Sequence, residues 1–135
     1  MTGTALDVAQ RLFDAIENKS VDTVAALYAD DVAVWHNFSN SEQTKAENLK
    51  VLDGLTKNVA HIRYEVTERL LLGDRVMQRH LLRCKVEDGE EVVIPACIFV
   101  TACNGKITRI DEYLDTAQST ALGAAIQRAR SAAKR

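Results

Sequence analysis

At 135 residues the chain is the size of one domain, 1–135, long enough to bury a core without metal or disulfide support. With 47% hydrophobic and 27% charged residues it is composed like an ordinary globular protein, and a net charge of −2 supplies no positive field for nucleic acid. No apolar run reaches the ~18–20 residues of a membrane span and no basic-then-apolar leader opens the chain, so a cytoplasmic protein without membrane partners is expected.

Ala5, Val8, Ala9, Leu12, Phe13 and Ile16 fall on one helical face, and Thr4-x-x-Asp7 has the form of a capping box. Asn18-Lys19-Ser20 breaks that helix. A shorter one follows with Val21, Val24, Ala25 and Tyr28 on its apolar stripe, ending in Asp30-Asp31. Val32 to Phe38 reads as a strand, and Ser39-x-x-Glu42 as the start signal of a third helix that turns Leu49, Leu52, Leu55 and Val59 inward. From His61 the period becomes two, with Ile62, Tyr64, Val66, Leu70 and Leu72 on one face of a long strand that Gly73-Asp74 ends.

Residues 75–86 form the next strand, Asp88-Gly89 a turn, and 91–103 a strand apolar on both faces. Asn104-Gly105 is a strong hairpin signal, because both residues accept the positive φ of a type I′ turn. The last strand runs to about Asp115, and Thr116-x-x-Ser119 opens an alanine-rich helix. Helices first and a strand meander after them predict an α+β fold, a cone-shaped curved antiparallel sheet wrapped on the N-terminal helices, whose mouth is a natural cavity. Cys84, Cys97 and Cys103 lack C-x-x-C spacing and read as reduced, strand-packed thiols.

Two stretches carry a family signal: Leu27-Tyr-Ala-Asp-Asp-Val-Ala-Val-Trp-His-Asn37 and Gly105-Lys-Ile-Thr-Arg-Ile-Asp-Glu-Tyr-Leu-Asp115. With the order of elements, they make the chain from about Thr4 to Thr116 resemble the SnoaL-like proteins of the nuclear transport factor 2-like superfamily, relatives of ketosteroid isomerase and limonene epoxide hydrolase. The resemblance puts the isomerases' aspartate base at His36. Their oxyanion donors fall on Leu12 and Cys97, neither a strong donor, which disfavours steroid isomerisation. The final aspartate of the epoxide hydrolases falls on Glu112. Their Arg-x-Asp pair falls on Gln78 and His80 if Leu82-Arg83 is matched, or on Arg79 and Leu81 if the count runs back without a gap from Gly89. Strand parity favours the first register.

The candidate catalytic residues are therefore His36, Glu112 and His80. Glu112 shares a strand face with Ile110 and Leu114, where an apolar setting suits a proton carrier. It could equally be a carboxylate paired to an arginine on a strand that faces a dimer partner. His36, between Val34 and Phe38, could be a titrating imidazole or a core histidine bonded to a carbonyl. Trp35, Asn37, Tyr28, Cys97, Phe99, Ile110 and Leu114 are candidate ligand contacts, with Trp35 as readily a packing ring and Cys97 as readily an inert thiol.

His36, His61 and His80 share no ligand spacing, so no metal is expected, and without a Gly-rich phosphate loop no cofactor is implied. The expected partner is a small hydrophobic ligand. The expected activity is cofactor-free acid–base chemistry, or else ligand binding or assembly without turnover. The strand 92–103, with Val93, Pro95, Cys97 and Phe99 on the face opposite Val92, Ile94, Ile98 and Val100, predicts a homodimer.

Overall fold

The computed structural model describes residues 4–134, which run α1 (Ala5–Glu17), α2 (Val21–Leu27), β1 (Tyr28–His36), β2 (Ser41–Gln43), α3 (Lys45–Asn58), β3 (His61–Leu72), β4 (Arg75–Lys85), β5 (Glu91–Cys103), β6 (Lys106–Leu114) and α4 (Thr116–Ala133). One curved, unclosed six-stranded sheet in the order β2-β1-β6-β5-β4-β3 carries the helices on its inner face. The meander β3 to β6 is antiparallel as expected, but β1 joins β6 in parallel. That pairing makes the sheet mixed, because β1 is separated from its neighbour by most of the chain.

The first capping box forms as read: Asp7 N donates to Thr4 Oγ1 at 3.3 Å and Thr4 N to Asp7 Oδ2 at 3.2 Å. The helix it starts seals the core with Val8, Ala9, Leu12 and Phe13, all buried. Burial of each large apolar side chain contributes about 1.5–3 kcal/mol. Val24 and Leu27 of α2, Val59 after α3, and Leu122 and Ala125 of α4 complete it. The terminal helix packs on β5 and joins the same core, so the inner face is covered from both ends of the chain. Asn104 (φ 52°) and Gly105 (φ 78°) adopt the positive φ expected of the β5–β6 hairpin.

Four boundaries differ from the sequence reading. The first strand begins at Tyr28, not Val32, because Tyr28 leaves the helix with extended φ and ψ and pairs with Ile107. Ser41–Gln43 is not the start of a helix but β2. Asn40 at φ 50° lets the chain double back onto β1, and the third helix is opened by a Thr44–Glu47 capping box instead. The fourth helix is capped one residue earlier than read, by the Asp115 carboxylate accepting from Gln118 N at 3.0 Å.

The fourth difference bears on the site. A bulge between Val66 and Glu68 inverts the parity of the second half of β3. Arg69 turns to the inner face, and Leu70 and Leu72, expected there with Tyr64, stand exposed on the outer one.

Candidate active site

The register draws one row across the inner face. Ser41, His36, Glu112, Ile98, Gln78 and Arg69 stand side by side from β2 to β3. The next row holds Leu114, Ala96, His80 and Val66. Residues opposed in a ladder share a face, so Glu112 and His36 on one side and Gln78, His80 and Arg69 on the other face the same helices across Ile98 and Ala96. Their strands, β6 and β4, are two spacings apart, about 10 Å.

On the β1 side, His36 Nε2 lies 3.2 Å from Glu112 Oε1. The imidazole is buried and the carboxylate largely so. A carboxylate accepts, so Nε2 carries the proton and the lone pair of the neutral ring sits on Nδ1, which is buried with no hydrogen-bond partner among the described residues. An orphaned buried polar atom costs about 1–3 kcal/mol. Phe38, exposed at the turn after β1, lies against the imidazole at 5.0 Å between ring centroids. Asn37 fixes the pair. Its backbone N–H donates to Glu112 O at 3.1 Å, its Nδ2 donates to Leu114 O at 3.2 Å, and its Oδ1 accepts from Leu114 N at 3.1 Å. The amide thus extends the β1–β6 ladder past the last paired residues.

On the β4 side, Arg69 Nε donates to Gln78 Oε1 at 2.7 Å, and Gln78 Nε2 lies 3.0 Å from His80 Nδ1. His80 Nε2 is buried without a partner among the described residues. Tyr64 and Phe13 meet the His80 ring edge-on at 4.9 and 5.9 Å. Burial holds the His80 pKa below its ordinary value, with Arg69 adding to the effect and Glu112 opposing it. Burial, reinforced by the Glu112 charge, keeps the phenols of Tyr28 and Tyr64 well above their usual range. Outside the Phe13–Tyr64–Arg69 wall lies an open cleft of ≈ 240 Å³, completed by Gln10, Glu17 and Val66.

The expected site residues divide by face. His36, Glu112, His80, Ile110 and Leu114 are on the inner face. Strand 75–86 takes the register that turns Gln78 and His80 inward, and Arg79 and Leu81 outward. Tyr28 is buried beside them, its hydroxyl donating to Asn48 Oδ1 at 2.7 Å. Cys97 and Phe99 are on the outer face, because β5 alternates and Ile98 takes the inner position between them. Phe99 lies beneath Arg75, whose guanidinium carbon is 4.8 Å from the ring centroid, and the partial burial of Cys97 raises its thiol pKa. Trp35 also points outward, against Tyr113.

Asn37, expected to face a ligand, spends its amide on the backbone. A wider hollow of ≈ 460 Å³ is lined mostly by outward-facing residues, Arg79, Leu81, Pro95, Cys97 and Tyr113 among them, and also reaches His80, Ala96 and Leu114, but neither His36 nor Glu112 lines it. Sequence reasoning missed Arg69, because nothing in Thr67-Glu68-Arg69 announces the bulge. It met Gln78 only as a family position, although the i, i+2 spacing to His80 does place the two on one face.

The model of the SnoaL-like domain matches residues 9–110. The chain belongs to the SnoaL-like family. Solved structures repeat its fold. A protein of Shewanella denitrificans OS-217, provisionally named a SnoaL-like polyketide cyclase, superposes with a TM-score of 0.77 at 10% identity, over 86% of this chain and 93% of that one. An epoxide hydrolase of M. tuberculosis, like the limonene epoxide hydrolases, gives 0.72 at 19% identity over 95% and 92%. A protein of Catenulispora acidiphila DSM 44928 with a ketosteroid isomerase-like fold, solved with trimethylamine, gives 0.69 at 12% over 84% and 86%. These likenesses establish the nuclear transport factor 2-like fold of this SnoaL-like chain. No curated protein matches its sequence.

His80 makes stability depend on pH. Unfolded, its imidazole takes a proton as pH falls through about 6.5, whereas the folded ring resists it. The unfolded state then binds more protons, so the His80 contribution is present above that pH and is lost as pH falls below it. Urea denaturation of wild type and His80→Asn at pH 7.5 and 5.5 checks this. The wild type should lose more stability between the two pH values than the variant does, and equal losses would remove His80 from the pH response.

Proposed function

We propose that this SnoaL-like protein binds a small hydrophobic metabolite on the inner face of its sheet and moves a proton on it without a cofactor, in an isomerisation, cyclisation, dehydration or water addition. The observation that carries this is the His36–Glu112 pair at 3.2 Å with His36 Nδ1 buried and unpartnered. Glu112 orients the imidazole and stabilises the imidazolium that forms when Nδ1 takes the proton, and the same nitrogen returns it to a second substrate atom. Tyr28, Ile110 and Leu114 supply the surrounding surface. A reducing compartment such as the cytoplasm suits the three unpaired thiols.

One observation favours the alternative, a binding or assembly module without turnover: the Asn37 amide is committed to backbone and Glu112 to His36. Substitution separates the two readings. A thermal-shift screen of small apolar metabolites identifies a ligand, because binding to the folded state raises its apparent stability. With that ligand as substrate, Glu112→Gln should lower kcat by about 10²-fold or more while ligand affinity changes little, since the amide keeps the volume but cannot stabilise the imidazolium. An undiminished kcat in Glu112→Gln would remove this mechanism and leave the binding module.

We also propose that two copies associate through the outer face. Leu70, Leu72 and Tyr113 are exposed there, beside half-buried Met77, Val93 and Phe99 and the hollow at Cys97. A contiguous apolar surface of this kind is typical of an interface. Sedimentation at micromolar concentration should give twice the chain mass, and Leu70→Glu with Phe99→Glu should give the monomer. A monomeric wild type would contradict the pairing.

A further inference from the structure

The cleft between α1 and β3 lies apart from the His36–Glu112 pair, neither of which lines it. Phe13, Tyr64 and Val66 give it apolar walls, and Gln10, Glu17 and Arg69 its polar groups. One cation and one anion therefore share a small cleft. Its ≈ 240 Å³ falls below the roughly 300–1,000 Å³ of sites for drug-sized molecules, which suits a smaller ligand.

The bulge between Val66 and Glu68 is what brings Arg69 here. The guanidinium is then held by neutral groups only. Its Nε donates to Gln78 Oε1 at 2.7 Å, its Nη1 donates to Gln10 Oε1, and its central carbon lies 5.7 Å from the Phe13 ring centroid. Arg79, Arg83, Arg109 and Arg128 each meet a carboxylate, whereas Arg69 meets none among the described residues. Asp14 accepts from Gln10 Nε2 at 2.7 Å and does not line the cleft. A guanidinium has five N–H donors in a planar fork, so Arg69 keeps Nη2 for a ligand.

Glu17 is fixed as well. Its Oε2 accepts from the Tyr64 backbone N–H at 2.7 Å, which ties the end of α1 to β3 and leaves Oε1 free. Both charged side chains are half-buried, each is tethered by its own bonds, and they form no ion pair with each other. Opposite charges withdrawn from water but kept apart lose solvation without gaining the attraction that would offset it. A molecule that pairs with both restores the balance.

We infer that this cleft is a second binding site and that it takes a small zwitterion, an α-amino acid with an apolar side chain. The carboxylate accepts from the free N–H groups of Arg69, the ammonium donates to Glu17 Oε1, and the side chain lies against Phe13, Tyr64 and Val66. A simple carboxylate would satisfy Arg69 but face the like charge of Glu17, and a simple amine would do the reverse. Because the cleft is open and its charges are partly solvated, the affinity is low, with Kd on the order of 1 mM. The inference does not rest on the acid–base reading above.

Amide ¹H–¹⁵N spectra of the whole chain test it, titrated with L-leucine, with isocaproate (leucine without its ammonium) and with isoamylamine (leucine without its carboxylate). The amides of Tyr64 and Val66 should shift and saturate with leucine, which should bind about tenfold more tightly than either analogue. Glu17→Gln keeps an oxygen for the Tyr64 N–H and removes the charge. It should weaken leucine and strengthen isocaproate, opposite signs that a merely structural role of Glu17 would not give. Arg69→Met should weaken both. Should either variant fail to fold, the three ligands on wild type still decide. No saturable shift with leucine, or an analogue that binds wild type as tightly as leucine does, overturns the assignment. So does a folded Glu17→Gln or Arg69→Met protein with undiminished affinity for leucine.

Discussion

The pairing of β1 with β6 is the constraint on which the site depends. The two strands are parallel and far apart in sequence, so nothing local specifies their register. Asn37 specifies it from the end, by using its side-chain amide as one further rung against the Leu114 backbone. A slip of one residue would turn His36 to the outer face and Val34 out of the core with it. The register that buries Val34 and Ile110 is the one that sets His36 against Glu112, so core packing and the carboxylate–imidazole contact select the same arrangement.

Across Ile98 and Ala96 the same logic is repeated with different chemistry. On the β6 side a carboxylate orients an imidazole so that its free nitrogen accepts. On the β4 side a guanidinium orients an amide, which orients an imidazole so that its free nitrogen donates. Each free nitrogen costs about 1–3 kcal/mol when buried unbonded. Two such costs on one face are a substantial part of the roughly 5–15 kcal/mol by which a folded domain is stable. The family to which the chain belongs and the fold it shares fix the scaffold, and a scaffold does not by itself assign a chemistry.

Much of this was legible in the sequence. The capping box at Thr4, the strand that starts at His61 and the Asn104-Gly105 turn are local signals, and each formed where the residues put it. Parity placed Glu112 with Ile110 and Leu114, and chose the register that turns His80 inward. Parity failed where the backbone stopped alternating. The bulge after Val66 moved Arg69 in and Leu70 out, and no residue type there forces it. Phe99 was expected on the wrong face of a strand that is apolar on both, where hydrophobicity carries no information about direction. Asn37 read as a ligand contact because polar side chains beside a family position suggest binding, whereas its partner is a backbone 77 residues away.

The central claim is that the unpartnered nitrogen of the His36–Glu112 pair faces the ligand. A crystal structure of the protein with the molecule that most raises its melting temperature tests this directly. The account predicts a ligand atom within hydrogen-bond distance of His36 Nδ1. A ligand seated in the hollow beside Cys97, with His36 Nδ1 contacting water alone, would contradict it.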